Sequence, residues 1–249
     1  GHLMGIAVGM AMLAGLIIAW GVAVPVMTYL HPVATGSAAE IAQAAWAPNV
    51  RFIGAGAIGA AAIWTLAKLA APVWAGLASA MRASSIRSSG QGESLPRTER
   101  DIPIWIVGAT ILGSLVPLAV LFHSFLSAGP LESMLAPLIV GGVLYVVVAG
   151  FLVAAVCGYM AGLIGSSNSP VSGLAILSVL GAALLLVALA AKTVGPTGHA
   201  ALVAYALFVT AVLLNVATIA NDNLQDLKTG QLVDATPWKQ QAALLVGVV

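Results

Sequence analysis

Between Glu132 and Lys192 the chain runs for 59 residues without an aspartate, glutamate, lysine or arginine. A helix crosses the hydrocarbon layer of a bilayer with about 20 apolar residues, so this stretch is too long for one crossing and holds two. One polar interruption divides it, Gly-Leu-Ile-Gly-Ser-Ser-Asn-Ser-Pro-Val-Ser-Gly over residues 162–173. Being uncharged, it can lie at depth, where non-helical backbone is tolerated only under cover of protein or beside a water-filled cavity. Helices broken in this way build solute and ion sites in membrane proteins. The stretch is therefore a candidate piece of a path through the membrane.

Composition agrees with a membrane solvent. Of 249 residues, 61% are apolar and 7% charged, against about 25% charged in soluble domains. The apolar runs are long and continuous rather than short and alternating, which excludes a porin-like barrel. The predicted fold is all-α: a polytopic membrane helical bundle of about six transmembrane helices plus a truncated seventh, with a broken-helix element near 165–170. The net charge of +1 excludes a basic nucleic-acid surface. The single cysteine, Cys157, lies in an apolar run and reads as a small core residue. No signal peptide is apparent. The first residue is Gly1, and the last apolar run, 242–249, is too short to span. Residues 1–249 are thus expected to form a single transmembrane domain that is part of a longer chain.

In chain order, the predicted spans are 3–30, 52–71, 102–126, 134–163, 171–191 and 200–220. Pro25 and Pro117 should kink the first and third. Gly5 and Gly9 have the small-xxx-small spacing of close helix contacts. Residues 31–50 read as a loop whose alanine-rich centre, 37–46, forms a short interfacial helix. Gly54, Gly56 and Gly59 match a dinucleotide-binding pattern, but that fingerprint needs a preceding strand. In an apolar helix they read as packing residues, and no cofactor is implied. Lys68, flanked by Trp64 and Trp74, reads as a lysine reaching to the interface.

Residues 82–101 hold Arg82, Arg87, Arg97 and Arg100 together with Glu93, Glu99 and Asp101. They form a solvated loop, placed on the cytoplasmic side by the positive-inside rule. Lys68, Lys228 and Lys239 fall on that side too, whereas the outer side keeps Arg51 and Lys192. His123 lies near an outer helix end, and residues 192–199 form an outer turn.

Two stretches carry chemistry. In the first, Ser166, Ser167, Asn168 and Ser169 offer hydroxyls and an amide, and Pro170 disfavours helix at Ser169. Freed helix termini beside these groups can hold a peptide group, a carboxylate or an ion; an ordinary turn at the membrane surface is the other reading. In the second, Asp222 and Asp226 share a face if the sixth helix continues, which makes them candidate proton or cation sites. A solvated helix end is the alternative.

Residues 158–173, Gly-Tyr-Met-Ala-Gly-Leu-Ile-Gly-Ser-Ser-Asn-Ser-Pro-Val-Ser-Gly, resemble a signature of the oligopeptide transporter (OPT) family. Residues 223–230, Asn-Leu-Gln-Asp-Leu-Lys-Thr-Gly, with Ala-Thr-Pro at 235–237, resemble a second. They occur in the family's order, two spans apart. The chain is most similar to bacterial members and the yellow-stripe-like branch, as an interior part of a protein two to three times longer. The resemblance implies a secondary active transporter, typically proton-coupled, that moves short oligopeptides or metal-chelate complexes across a bacterial inner membrane. Its partners would be that substrate, protons, the lipid bilayer and the remaining helices of the full-length transporter. Asn168, Pro170, Ser172 and Gly173 carry over from the first signature. Gln225, Asp226, Lys228, Thr229 and Gly230 carry over from the second. Ser169 departs from the asparagine that many relatives place before the proline.

Two other classes compete. A passive channel would be lined by rings of charge or carbonyls, and no such pattern is evident. An intramembrane serine protease would use Gly-x-Ser-Gly, whereas residues 170–173 read Pro-Val-Ser-Gly. Ser172 is also placed at the opposite membrane face from His123 and His199, beyond the contact that a Ser–His pair needs. There is no His-Glu-x-x-His motif and no cysteine pair, so no metal site is predicted and a metal would arrive as a chelate.

Overall fold

The apolar runs fold as helices because a backbone in lipid must satisfy its own hydrogen bonds. The computed structural model describes residues 5–32, 36–86, 96–165, 169–190 and 194–248, with the side chains at 80, 83 and 248 excepted. Among them no strand occurs, and six helical stretches are long and apolar enough to cross a membrane. The protein is all-α and multi-pass. It divides into two compact units, one ending at Ala61 and one beginning at Ala62.

In the first unit, α1 (Gly5–Leu16) passes through a π-helical stretch, Ile17–Ala23, into α2 (Val24–Leu30). The wide turns end just before Pro25, which has no amide hydrogen to give and crowds the preceding turn. The expected kink is thus a change of helical pitch. Residues 31–50 are more helical than a loop. Ser37 and Glu40 cap each other to start α3 (Ala38–Ala45). A second π stretch, Trp46–Val50, contains Pro48 and joins α3 to α4 (Arg51–Ile86). Val24, Ala45 and Val50 form a small core, with Trp20 stacked on Trp46 at 6.0 Å between ring centres. A Cβ placed at Gly5, Gly9, Gly54 or Gly56 meets open space, so within this chain these glycines are not the packing contacts their spacing suggested. Gly59 alone of the glycine triplet is buried.

The helix expected to end near Ala71 continues through Pro72 to Ile86. Arg82 therefore lies on a helix rather than in the loop expected over 82–101, and residues 87–95 lie outside the described residues. Lys68 is exposed, with its ammonium 5.1 Å from the centre of the Trp64 ring, a cation–π pair. α5 (Ile104–Leu126) also runs unbroken through its proline, Pro117.

Three helices make the core: α6 (Leu135–Ile164), α7 (Val171–Ala190) and α8 (Pro196–Leu232). α6 packs most extensively against α8, and α7 packs against both. At one end Phe122, Leu126, Leu138, Leu186, Tyr205 and Leu213 close a large apolar cluster. Nearer the other end Val153, Val156, Cys157, Leu174 and Ala217 form a second, onto which Leu66 and Leu69 of α4 pack. Cys157 is fully buried there, as its apolar setting predicts. α8 starts at Pro196, so Gly198 and His199 belong to a helix and not to the expected turn. At its far end α8 runs twelve residues past the predicted limit at 220. A tight turn with Asp234 at φ 57° then leads into α9 (Pro237–Val248), the start of the predicted seventh segment.

Candidate functional site

α6 ends where Gly165 takes φ 89°, a conformation that only glycine adopts readily. The helix thus stops at Ile164, five residues before Ser169, where the proline rule alone would have placed the end. Ser166, Ser167 and Asn168 lie outside the described residues. Ser169 and Pro170 are half-buried, Ser172 is exposed and Gly173 is buried. α7 begins at once: the Leu174 amide bonds back to the Pro170 carbonyl at 3.0 Å.

Side-chain pairs fix the register. Tyr145 of α6 donates its hydroxyl to the Ser178 carbonyl of α7 at 2.8 Å, and a Cβ at Gly181 would overlap that hydroxyl. α7 therefore runs antiparallel to α6. Tyr205 bonds Leu138, Gly150 faces Leu213, and Gly158 faces Leu224, so α8 runs parallel to α6. At the level of Cys157 the three helices meet. The Ser169 hydroxyl hydrogen-bonds the Asn221 side-chain oxygen and lies 3.4 Å from the Cys157 carbonyl. Seven residues of α6 lie beyond this level, between Cys157 and Ile164, or ~10 Å at 1.5 Å per residue. Ser169 thus lies back along α6 from its end at Ile164, at the level of Cys157. α7 has 20 residues, ~30 Å of helix, matching a hydrocarbon layer about 30 Å thick.

The second stretch lies on the same end of the bundle, on the continuing helix α8. Asp222 and Asp226 are both exposed and one turn apart, as helical continuation predicts. The Thr229 hydroxyl bonds back to the Gln225 carbonyl at 3.0 Å, and the Lys228 ammonium donates to Gln231 at 2.9 Å. Gly230 is buried against the Gln240 side chain of α9, where any Cβ would overlap it. The Gln240 amide reaches the Asp226 carbonyl at 3.5 Å. Asp226 and Gln240 line an open cleft of about 450 Å³ with Ala243, Leu244 and Gly247.

The end of the arginine-rich segment is docked as well as solvated. The Trp238 amide donates to the Arg100 carbonyl at 3.1 Å, and the Ile102 amide donates to the Gln241 side chain at 3.0 Å. Gln241 also donates to Asp101 at 3.3 Å. His199 shares an apolar groove with Leu186 and Val187. Leu186 stands 14 residues along α7 from Ser172, ~20 Å of helix, so no Ser172–His199 pair forms. Asn221 is the functional candidate that sequence reasoning missed. Its signal was an amide immediately after the last apolar turn of a span, directly before an acid.

These features define a multi-pass helical membrane protein with an interrupted helix pair and an acid-bearing helix at one end of its core. The model of the family described as OPT oligopeptide transporter protein matches residues 1–249, and the chain belongs to that family, one of transporters and not of enzymes. It is 42% identical to a Haemophilus influenzae protein named "Putative oligopeptide transporter", over 99% of this chain and 39% of that protein. The chain thus spans about two fifths of that relative's length. No solved structure matches it.

Proposed function

We propose that the chain is part of a secondary active transporter that takes up short oligopeptides, or metals carried as chelates, using the proton gradient across a bacterial plasma membrane. One observation carries the reading. Ser169, from the first family signature, and Asn221, two residues before the second, are bonded across 52 positions of sequence. The bond brings the start of α7 and the helix that carries the second signature together at one end of the core, which supports a site shared by the two signatures.

In this reading Ser166, Ser167 and Asn168 supply hydroxyl and amide groups to the peptide backbone, while Ser169 anchors the start of α7 beside them. Pro170, Ser172 and buried Gly173 open α7. The N-terminus of that 20-residue helix favours a carboxylate, which suits the C-terminus of a short peptide. Asp222 and Asp226, exposed on α8, are the proton-carrying candidates, with Gln225, Lys228, Thr229 and Gly230 around them. The arginine-rich segment, by the positive-inside rule, supports a cytoplasmic setting for this end. The relative's name favours peptides over chelates as substrate.

The test is uptake of labelled trialanine by the full-length transporter in proteoliposomes, with and without an inward proton gradient. Saturable uptake stimulated by the gradient is expected. Uptake that ignores the gradient and never saturates would instead make the protein a channel.

A further inference from the structure

Asn221 sits on the face of α8 turned to α6. Ala217, one turn before it, is fully buried, and Leu224, a turn after it, lies against Gly158. Asn221 itself is 6% exposed. An amide in such surroundings costs free energy unless its groups are hydrogen-bonded. Its oxygen accepts the hydroxyl of Ser169, the last residue of the interruption before Pro170. A serine hydroxyl has one proton to donate. Given to Asn221, it ties the start of α7 to α8; the Cys157 carbonyl at 3.4 Å is the weaker alternative on α6. The residue after Asn221 is Asp222, whose carboxylate faces outward. A shift of the α7 start relative to α8 would therefore change the spacing between the break and the acid face.

We infer that Asn221 is a positioning residue of the transport site: by accepting the Ser169 hydroxyl it fixes the first turn of α7 against α8, and so sets the distance between the start of α7 and the Asp222–Asp226 face. This rests on the transport reading above. It also extends that reading, because Asn221 belongs to neither family signature quoted. The two side chains act as one unit, so removing either should have the effect of removing both.

The test uses the full-length transporter in proteoliposomes with labelled trialanine, and four variants: Ser169→Ala, Asn221→Ala, the double variant and Ser169→Thr. One neutral hydrogen bond is worth about a five- to tenfold change in an equilibrium. Each alanine variant should raise KM by about that factor, the double variant should be no worse than either single, and Ser169→Thr, which keeps the hydroxyl, should restore the wild-type KM. A second readout needs no solute. Cys157 is fully buried under the link, so its labelling by a permeant maleimide, followed by peptide mass, should speed up in both alanine variants and not in Ser169→Thr. Additive KM effects would overturn the inference. So would a lower maximal rate with unchanged KM and unchanged Cys157 labelling, which is what a general loss of folded protein produces. If wild-type protein ignores trialanine while the labelling pattern still appears, the link stands and the peptide reading falls.

Discussion

Tyr205 of α8 donates its hydroxyl to the Leu138 carbonyl of α6 at 3.0 Å, and it can do so because residue 142 has no side chain. A Cβ at Gly142 would land on that hydroxyl and would stand 3.1 Å from the Phe122 ring. Phe122 in turn meets Tyr205 edge-on at 5.5 Å, a favoured aromatic geometry. One glycine thus lets three helices close on a single tyrosine. In lipid, where apolar side chains gain nothing by leaving solvent, such close contacts and interhelical hydrogen bonds hold the bundle.

Gly142→Ala should therefore destabilise the core by about 1–3 kcal/mol, the usual cost of overpacking. Tyr205→Phe should cost less, about 1 kcal/mol for one hydrogen bond. The two should not add. Removing the hydroxyl removes the atom that the new methyl strikes, so the double variant should melt above Gly142→Ala alone. Thermal unfolding in detergent measures this; strict additivity would mean that the methyl is accommodated elsewhere.

Asn168→Ala should abolish uptake while leaving membrane insertion intact. The prediction comes from the residue's place in the first signature, between α6 and a bonded Ser169. Its side-chain amide is the one amide that the sequence places within residues 162–173. Uptake in proteoliposomes, set against the amount of inserted protein, decides it. Normal transport by the variant would make the interruption an ordinary turn.

How much of this was legible in the sequence depends on what each feature rests upon. The spans at 102–126, 134–163 and 171–191 needed only apolar length, and α5, α6 and α7 reproduce them within two residues. The interruption was legible because Ser-Ser-Asn-Ser-Pro has no place inside an apolar helix. The span limit at 163 met its lower edge within one residue, but what ends α6 there, a backbone conformation at Gly165 that composition does not reveal, was not legible. The continuation of α8 was hidden for a different reason. Residues 221–230 are mostly polar, and a polar helix exposed on most sides has no apolar stripe to mark it. Asn221 was missed because its partner is 52 positions away; buried amides announce themselves only once the fold has chosen the neighbour. The π stretches before Pro25 and around Pro48 answer to local strain that spacing rules treat only as a kink.

Asp226→Asn should weaken the dependence of uptake on the proton gradient. Asp226 is exposed at the mouth of an open cleft and sits one turn from Asp222, so at the cytoplasmic end proposed for it a proton can leave to solvent without crossing the core. Asparagine keeps the size and loses the titration. Initial rates compared with and without the gradient, at several external pH values, test the role. An unchanged pH profile would remove Asp226 from coupling and leave Asp222 as the remaining candidate.

Gly230 carries a packing duty separate from transport. Its backbone lies against the end of the Gln240 side chain, and its carbonyl accepts from the Val233 and Ala235 amides at 3.1 and 2.8 Å, closing the turn between α8 and α9. The atoms it meets are the mobile tip of Gln240, so Gly230→Ala should be absorbed by that side chain swinging out. The contact from Gln240 to the Asp226 carbonyl would be lost, and stability should fall by about 1 kcal/mol. Gly230→Leu leaves no such escape and should lift the first turn of α9 from α8. That turn also holds the Trp238 amide against the Arg100 carbonyl, so its opening frees the backbone at Lys239, whose side chain is already exposed. Local opening of this kind is read by proteolysis: trypsin should cut after Lys239 faster in Gly230→Leu than in Gly230→Ala, and Gln240→Ala should suppress the effect of Gly230→Ala. Equal cleavage in all variants would show that α9 is held by Trp238 and Gln241 alone.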